Sequence, residues 1–301
     1  MNATTMYYNK AFDHYIRNKA TVHTDRDLEE GYQEEYDSYD FPHGFDGDYA
    51  AALAEENLFR RRATLVHTTP GDMKIQTIES TAEAVLCDER MAYDEQADSF
   101  DTAEFGAFKL ASLAKLRREF IADQHFDLQT YLKRNFCRRF GRAEERLLLV
   151  GTGVDQPTGL LTSAEVGVTA GKLTYDDVIK LYLSVKPEYR RKGTWIINDE
   201  TALVLRTLKD ENGAYLWDQS SGTILGKPVE YSMYMPNTEA GAKPIAFGDL
   251  SYFWMLQREP LAVRVLKEKY LLDSMIGFVA HERFDGKLIR PDAVKTLQIA
   301  G

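Results

Sequence analysis

Residues 147–162 read LLLVGTGVDQPTGLLT, an apolar run that breaks into three glycines within nine residues and then turns apolar again. A strand entering a glycine-rich turn is how many phosphate cradles begin, so the reading of this turn decides whether the chain is a nucleotide-binding fold. A Walker-type loop ends in Gly-Lys-Ser/Thr, because the lysine neutralises the terminal phosphates and the hydroxyl ligates magnesium. Here Gly159 is followed by Leu160 and Leu161. A dinucleotide fingerprint needs a third glycine where helix meets strand. Counted from Gly151 and Gly153, that position is Gln156, with Pro157 next to it. Proline pushes the residue before it toward an extended conformation and favours a tight turn over a helix start. The spacing therefore predicts a structural turn built on Gly151, Gly153, Pro157 and Gly159, with no cofactor.

Upstream lies the clearest helix of the chain, expected over 127–149, where Leu128, Tyr131, Leu132, Phe136, Phe140, Ala143 and Leu147 recur at steps of three and four. Its other face carries Lys133, Arg134, Arg138, Arg139, Arg142 and Arg146. Such a face suits nucleic acid when aromatic stacking platforms or groove-reading motifs accompany it; none is visible here, so a solvated or subunit-facing surface is the expectation. Downstream the chain alternates. TYDDVIKLYLSV is a helix capped by Thr174, GTWIIN a strand from Thr194, and DETALVLRTLKD a helix ended by the Asn212-Gly213 turn. Short strands are expected at KPVEYSMYM, KPIAFGD, YFWMLQRE, LAVRVLK and MIGFVAHERFD. This is mixed α+β order without regular βαβ units.

Nearer the start, AFDHYIRN has a short helical pattern, DYAAALAEENLFRRR a helix with an acidic start and a basic end, and MKIQTIES a strand. Residues 79–113 read as an extended two-stranded excursion, with candidate strands AEAVLC and EFGAFKLASL around the acidic tip DERMAYDEQADSFD. An isolated hairpin of that length is marginal in water and needs a neighbour to lie on. The 301 residues are 44% apolar, enough for a real core in one or two domains. No stretch is long and apolar enough for a membrane span, and MNATTMYYNK lacks a signal-peptide core, so a cytoplasmic chain with no membrane partner is expected. Cys87 and Cys137 have no metal-ligand spacing. The net charge of -10 is concentrated: between Asp25 and Asp48 stand ten acids against Arg26, a balance of -9. That segment, spotted with Tyr32, Tyr36, Tyr39, Phe41 and Phe45, repels itself and should form an arm that a neighbour orders.

No enzyme constellation emerges. The six histidines (His14, His23, His43, His67, His125 and His281) form no HExxH or other metal spacing. Ser163, Ser184, Ser232 and Ser251 lack a nucleophile elbow. Asp176 and Asp177 fall in the first turn of a helix, and Asp249 in FGDLSYFW is explained by turn chemistry.

Five segments, GTGVDQPTGLLT, GTWIINDETALVLRTLKDENGAYLWD, ILGKPVEYSMYMP, IAFGDLSYFWMLQRE and HERFDGKLIRPDAVKTLQ, stand in the order seen in tailed-phage major capsid proteins. The chain resembles that family over about residues 110–298, and its N-terminal third more loosely. The resemblance implies the Hong Kong 97 type capsid fold. Its parts would be an N-terminal arm (1–48), a peripheral domain (49–78, 114–149 with a spine helix, and 259–301), an extended loop (79–113) and an axial domain (150–258). It implies a non-enzymatic subunit that assembles with itself into pentamers and hexamers around packaged double-stranded DNA, held non-specifically, with a scaffolding protein or domain, a portal and a maturation protease as partners. Candidate inter-subunit contacts are Asp25, Glu29, Glu34 and Glu35 in the arm, Arg90, Asp94 and Glu95 at the loop tip, and Arg134, Arg138 and Arg139 on the helix. Some members carry a scaffolding segment ahead of the arm; here a separate scaffold or a mature-length form is implied. Cross-linking members place a lysine in the loop for an isopeptide bond, whereas this sequence has none between Lys74 and Lys109. The alternatives are an encapsulin-type compartment shell and, from another class, a nucleotide-dependent enzyme.

Overall fold

The computed structural model describes residues 3–17, 28–29, 32–33, 38–40, 46–68, 74–79, 99–123, 125–209, 212–215, 217 and 222–301. Two six-stranded sheets organise them. The first contains β1 (Tyr32–Gln33), β2 (Ser38–Asp40), β3 (Thr64–His67), β6 (Phe108–Arg117), β12 (Phe253–Leu266) and β13 (Met275–Leu288). Its order is β1-β2-β12-β13-β6, with β3 also on β12. The 14-residue strands β12 and β13 pair antiparallel through register shifts between Gln257 and Ala262. Pro260 sits in that irregularity, where a residue without an N–H does least harm to a ladder. The break divides the outer edge of β12: β3 pairs parallel with Trp254–Gln257 and β2 antiparallel with Ala262–Val263.

The second sheet runs β7-β14-β11-β8-β10-β9, from β7 (Glu165–Ala170), β8 (Thr194–Ile197), β9 (Thr223–Ile224), β10 (Lys227–Tyr231), β11 (Ile245–Gly248) and β14 (Val294–Ile299). Every residue of β8 and β11 is buried, which is why TWII and IAFG read as unbroken runs and not as alternation. Trp195 and Phe247 meet with ring centroids 4.2 Å apart, and Trp195 Nε1 donates to Ile224 O at 3.0 Å, so the bulky core keeps its one donor satisfied.

The described helices are α1 (Ala3–Ile16), α2 (Asp46–Glu56), α3 (Leu58–Arg62), α4 (Arg118–Ala122), α5 (Leu128–Val150), α6 (Leu160–Ser163), α7 (Tyr175–Ser184), α8 (Pro187–Arg190) and α9 (Asp199–Thr207). Side-chain caps set four starts: Asn57 on Phe59 N, Asp127 on Thr130 N, Thr174 on Asp177 N and Asn198 on Thr201 N. One core lies between α1, α5 and the first sheet, a second around β8 and β11, and a third, with Leu148, Leu160, Ile196, Ala246, Phe253 and Phe284, joins the two units.

Several sequence expectations need correction. The helix expected over 48–62 is interrupted at Asn57, whose side chain caps α3 by accepting from Phe59 N. The two-stranded ribbon is β4 (Lys74–Glu79) paired with β5 (Ser99–Glu104), so it starts before residue 79. Phe108–Arg117 belongs to the first sheet instead, because Leu110, Ala114 and Leu116 face the core on alternate positions. AEAVLC lies outside the described residues. Helix α9 stops at Thr207, and Gly213 (φ 81°) serves a turn closed by the Lys209–Tyr215 bridge. YFWMLQRE and LAVRVLK form one strand. Residues 259–301 do not stay in one unit: β13 pairs in the first sheet, but after the turn Pro291–Ala293, β14 enters the second between β7 and β11. β12 belongs to the first sheet from Phe253 on, ahead of the expected boundary at 258.

Candidate assembly surfaces

The glycine turn is closed by its own backbone. Gly151 N donates to Leu147 O and Gly159 N to Gly151 O, both at 2.9 Å, and Gly153 N donates to Pro157 O at 3.2 Å across the Thr152–Thr158 bridge. Gly153 sits at φ 80°, the region glycine enters without cost. A Cβ on Gly159 would lie 2.7 Å from Leu149 O, and one on Gly151 would collide with Pro157 O and Leu147 O. The glycines are thus set by close approach of chain to chain. Gly159→Ala should cost about 1–3 kcal/mol, read as a lower urea midpoint of the unassembled subunit; an unchanged midpoint would show that the turn relaxes freely.

Behind the turn, the break at Asn57 brings charge into the core. Asn57 Nδ2 and Arg60 Nε each donate to Glu144 Oε2 at 2.8 Å, and Arg60 Nη2 meets Glu144 Oε1 at 2.5 Å. Glu282 of β13, fully buried, lies 3.6 Å from the same Nη2, beyond a normal hydrogen bond. Burial, with the neighbouring Glu144 carboxylate adding to it, raises the Glu282 pKa well above the ordinary carboxylate value despite Arg60. Beside it, Glu145 accepts from Ser232 Oγ at 2.6 Å and Leu58 N at 2.9 Å, and burial raises its pKa. Asp285 is also raised by burial while accepting from Gly106 N and Gly286 N. These acids tie α3, α5 and β13 together, and patterning could not find them, because each looks like a surface charge in the sequence.

The arginine face of α5 is exposed but not bare. Arg138 and Arg142 share Glu56 at 3.5 and 3.0 Å, and Arg139 Nη1 donates to Leu113 O at 2.9 Å; Arg134 projects into solvent. An open cleft of about 950 Å3 lies along this face, with Glu55, Glu56 and Tyr131 in its walls. No aromatic platform is visible in the sequence of α5. The fold makes one from three separated residues, with Phe120, Phe126 and Tyr131 in a chain of ring contacts at 6.0 and 5.5 Å. Only the connection through α4 sets these rings beside one another. Cys137 is buried at the base of the same cleft, with its thiol pushed up to about 12 by burial.

The expected arm divides. Its first part, α1, packs on its own subunit through Tyr8, Phe12, Tyr15 and Ile16, whereas most of the acidic stretch 25–48, expected to be ordered by a neighbour, lies outside the described residues. The short pattern in AFDHYIRN was one half of an apolar stripe that starts earlier. Glu29 is exposed; Asp25, Glu34, Glu35, Arg90, Asp94 and Glu95 lie outside the described residues. Among the described residues no three His, Cys, Asp or Glu side chains gather as a metal site, and no helix is long and apolar enough to cross a membrane. Asp177 accepts from Thr174 Oγ1 and Asp249 from Ser251 N, which accounts for both as capping groups.

The chain matches the model of the phage capsid family over residues 41–299. Among solved structures it is similar to the capsid of a native GTA particle computed with C5 symmetry. That match has 27% identity and a TM-score of 0.66, covering 81% of this chain and 90% of that one. The fold recurs in structures of Gordonia phage Cozz (11% identity, TM-score 0.60, 83% and 86% covered) and Microbacterium phage Oxtober96 (17%, 0.58, 83% and 90%). No curated protein matches the chain.

Proposed function

The chain belongs to the phage capsid family, and on that premise we propose that it is the repeating subunit of an icosahedral head that closes rings of five and six around packaged double-stranded DNA. The observation that supports this most is the likeness, at 27% identity over 90% of its length, to a capsid chain computed with C5 symmetry. In such a ring each copy offers two different surfaces to its neighbours, and a ring that closes needs no further partner to define its size. The role is structural and not enzymatic. The unit of the first sheet would be the peripheral domain, with α5 as its spine, and the unit of the second sheet the axial domain that gathers at the ring centres. A net charge of -10 gives the chain no bulk attraction for nucleic acid, which suits enclosure without sequence-specific contact. A scaffold, a portal and a maturation protease complete the assembly we envisage, in the host cytoplasm.

Electron microscopy of the purified protein tests this reading. Shells or capsomer rings are the expected result, and a stable monomer at high concentration would overturn it. We further expect a shell without covalent cross-links. Lys74 is engaged with Glu104 at 2.7 Å, and arginine stays protonated and cannot act as the nucleophile. Particles boiled in detergent under reducing conditions should run as one band near 34.3 kDa; a ladder of multimers would show that the loop is misplaced or that a donor such as Lys74 or Lys109 acts.

A further inference from the structure

On the flank of α5 that meets β6, Arg139, Arg142 and Arg146 follow at steps of three and four, so they share one face over two turns, about 10 Å of rise. With Ala111 and Ser112 of β6 and Tyr234 from the segment after β10, they line a cleft of about 380 Å3. No carboxylate lines it. Like charges three and four residues apart cost a helix stability. Along the larger cleft Glu56 offsets that cost by meeting Arg138 and the Nε of Arg142. On the β6 side no acid plays the same part. Arg146 is exposed and makes no ion pair among the described residues. Arg139 spends Nη1 on Ser112 Oγ and Leu113 O, neutral acceptors that leave its charge uncompensated. The two acids of α5 itself, Glu144 and Glu145, are buried and already bonded to Arg60 and Ser232.

We propose that this cleft binds a linear oligophosphate anion, held by the three guanidiniums with the hydroxyls of Ser112 and Tyr234 as further donors. Every cation here is an arginine, whose planar fork pairs with phosphate oxygens through two parallel bonds where lysine offers a point charge. Guanidiniums spread over two turns are met together by a chain of phosphates and not by one. Duplex DNA carries the same oxyanions, but it is too broad to enter a cleft of this size and touches only the rim. Ser112 stands in the first sheet and Tyr234 follows a strand of the second, so the bound anion ties the two units to α5. The site lies within a single chain and does not depend on the head-subunit reading.

Titration calorimetry of the full chain with tripolyphosphate at low salt tests this. Saturable binding is expected, with a higher urea midpoint by mass action and with orthophosphate roughly tenfold weaker. Arg146→Gln should weaken tripolyphosphate about tenfold, the worth of one charge-assisted bond. Arg134→Gln removes the same charge from the same helix but lines the larger cleft and not this one, so it should leave the affinity unchanged. Equal losses in the two variants would mean attraction to bulk charge and overturn the site. Phenylglyoxal labelling of the wild-type chain gives a reading that no variant's folding affects: tripolyphosphate should protect Arg146 and not Arg134. Absence of saturable binding, or equal labelling with and without the anion, would also overturn it. So would duplex DNA that binds through Arg146 while tripolyphosphate does not, since the arginines would then be an open nucleic-acid surface.

Discussion

Arg60→Met should lower the unfolding free energy of the unassembled subunit by about 3–5 kcal/mol near neutral pH. The cost comes less from the lost ion pair than from what stays behind. Glu144 is fully buried and bonded to Arg60 through two nitrogens, and Glu282, also fully buried, has that guanidinium as its nearby cation. Methionine fills similar volume and brings no charge, so a carboxylate is left in a medium that solvates it poorly. Asn57 still donates to Glu144, which sets the loss below that of a bare buried charge. Urea unfolding followed by tryptophan fluorescence reads the difference, and a loss under about 1 kcal/mol would show that water reaches the cluster.

The same cluster fixes a direction with pH. The folded-state pKa of Glu282 is raised, so the folded chain holds a proton that the unfolded chain has released above about pH 4.5. The stability this contributes is complete below the ordinary carboxylate value and is lost as pH rises through the folded value, with a slope of up to about 1.4 kcal/mol per pH unit. Glu145 and Asp285, raised by burial, act in the same sense. Glu282→Gln keeps the shape and removes one titration. It should flatten the fall in stability toward alkaline pH, and in the Arg60→Met background it should recover part of the loss. A variant with the same pH slope as the wild type would locate the proton elsewhere.

What could be read from the sequence was what local chemistry dictates. α5 announced itself by a stripe repeated over six turns, and Thr174 and Gly153 by caps and turns whose residue types have few other uses. What stayed hidden depends on partners far along the chain. β14 has a strand's composition, but nothing in VKTLQI says that it pairs with β7 and β11 in the second sheet and not beside β13. Phe108–Arg117 alternates as a half-buried strand should, yet the neighbouring ribbon alternates too, and only the long pairing with β13 separates them. Among the candidate contacts, Arg138 and Arg139 proved to be engaged within the subunit, because Glu56 and Leu113 reach them from segments about 80 and 25 residues away.

Deleting residues 1–17 should leave a chain that is largely insoluble, not a folded subunit with a weakened assembly function. An acidic arm that only touched neighbours would come off without harm to its own subunit. α1, however, buries Phe12 and Ile16 completely and Tyr8 and Tyr15 almost completely in the core beneath α5. At about 1.5–3 kcal/mol for each such side chain, their removal is on the order of 6–12 kcal/mol. That is an upper figure, since an unfolded chain already hides some apolar surface, but it is comparable to the whole stability of a typical domain. Polar contacts add to it. Arg17 Nη1 donates to Ile121 O and Asp123 O and its Nη2 to Phe126 O, holding the link between α4 and α5, and Val265 N donates to Tyr15 Oη at 3.1 Å. Without α1 these acceptors and the underside of α5 meet water. Phe12→Ala, at about 3–5 kcal/mol, gives the graded version for a chain that still folds: a lower urea midpoint, with shell yield recovering at reduced temperature. A soluble 18–301 chain with the wild-type unfolding midpoint would mean that α1 leaves its own subunit in solution, and the reading of that helix as an arm would then return.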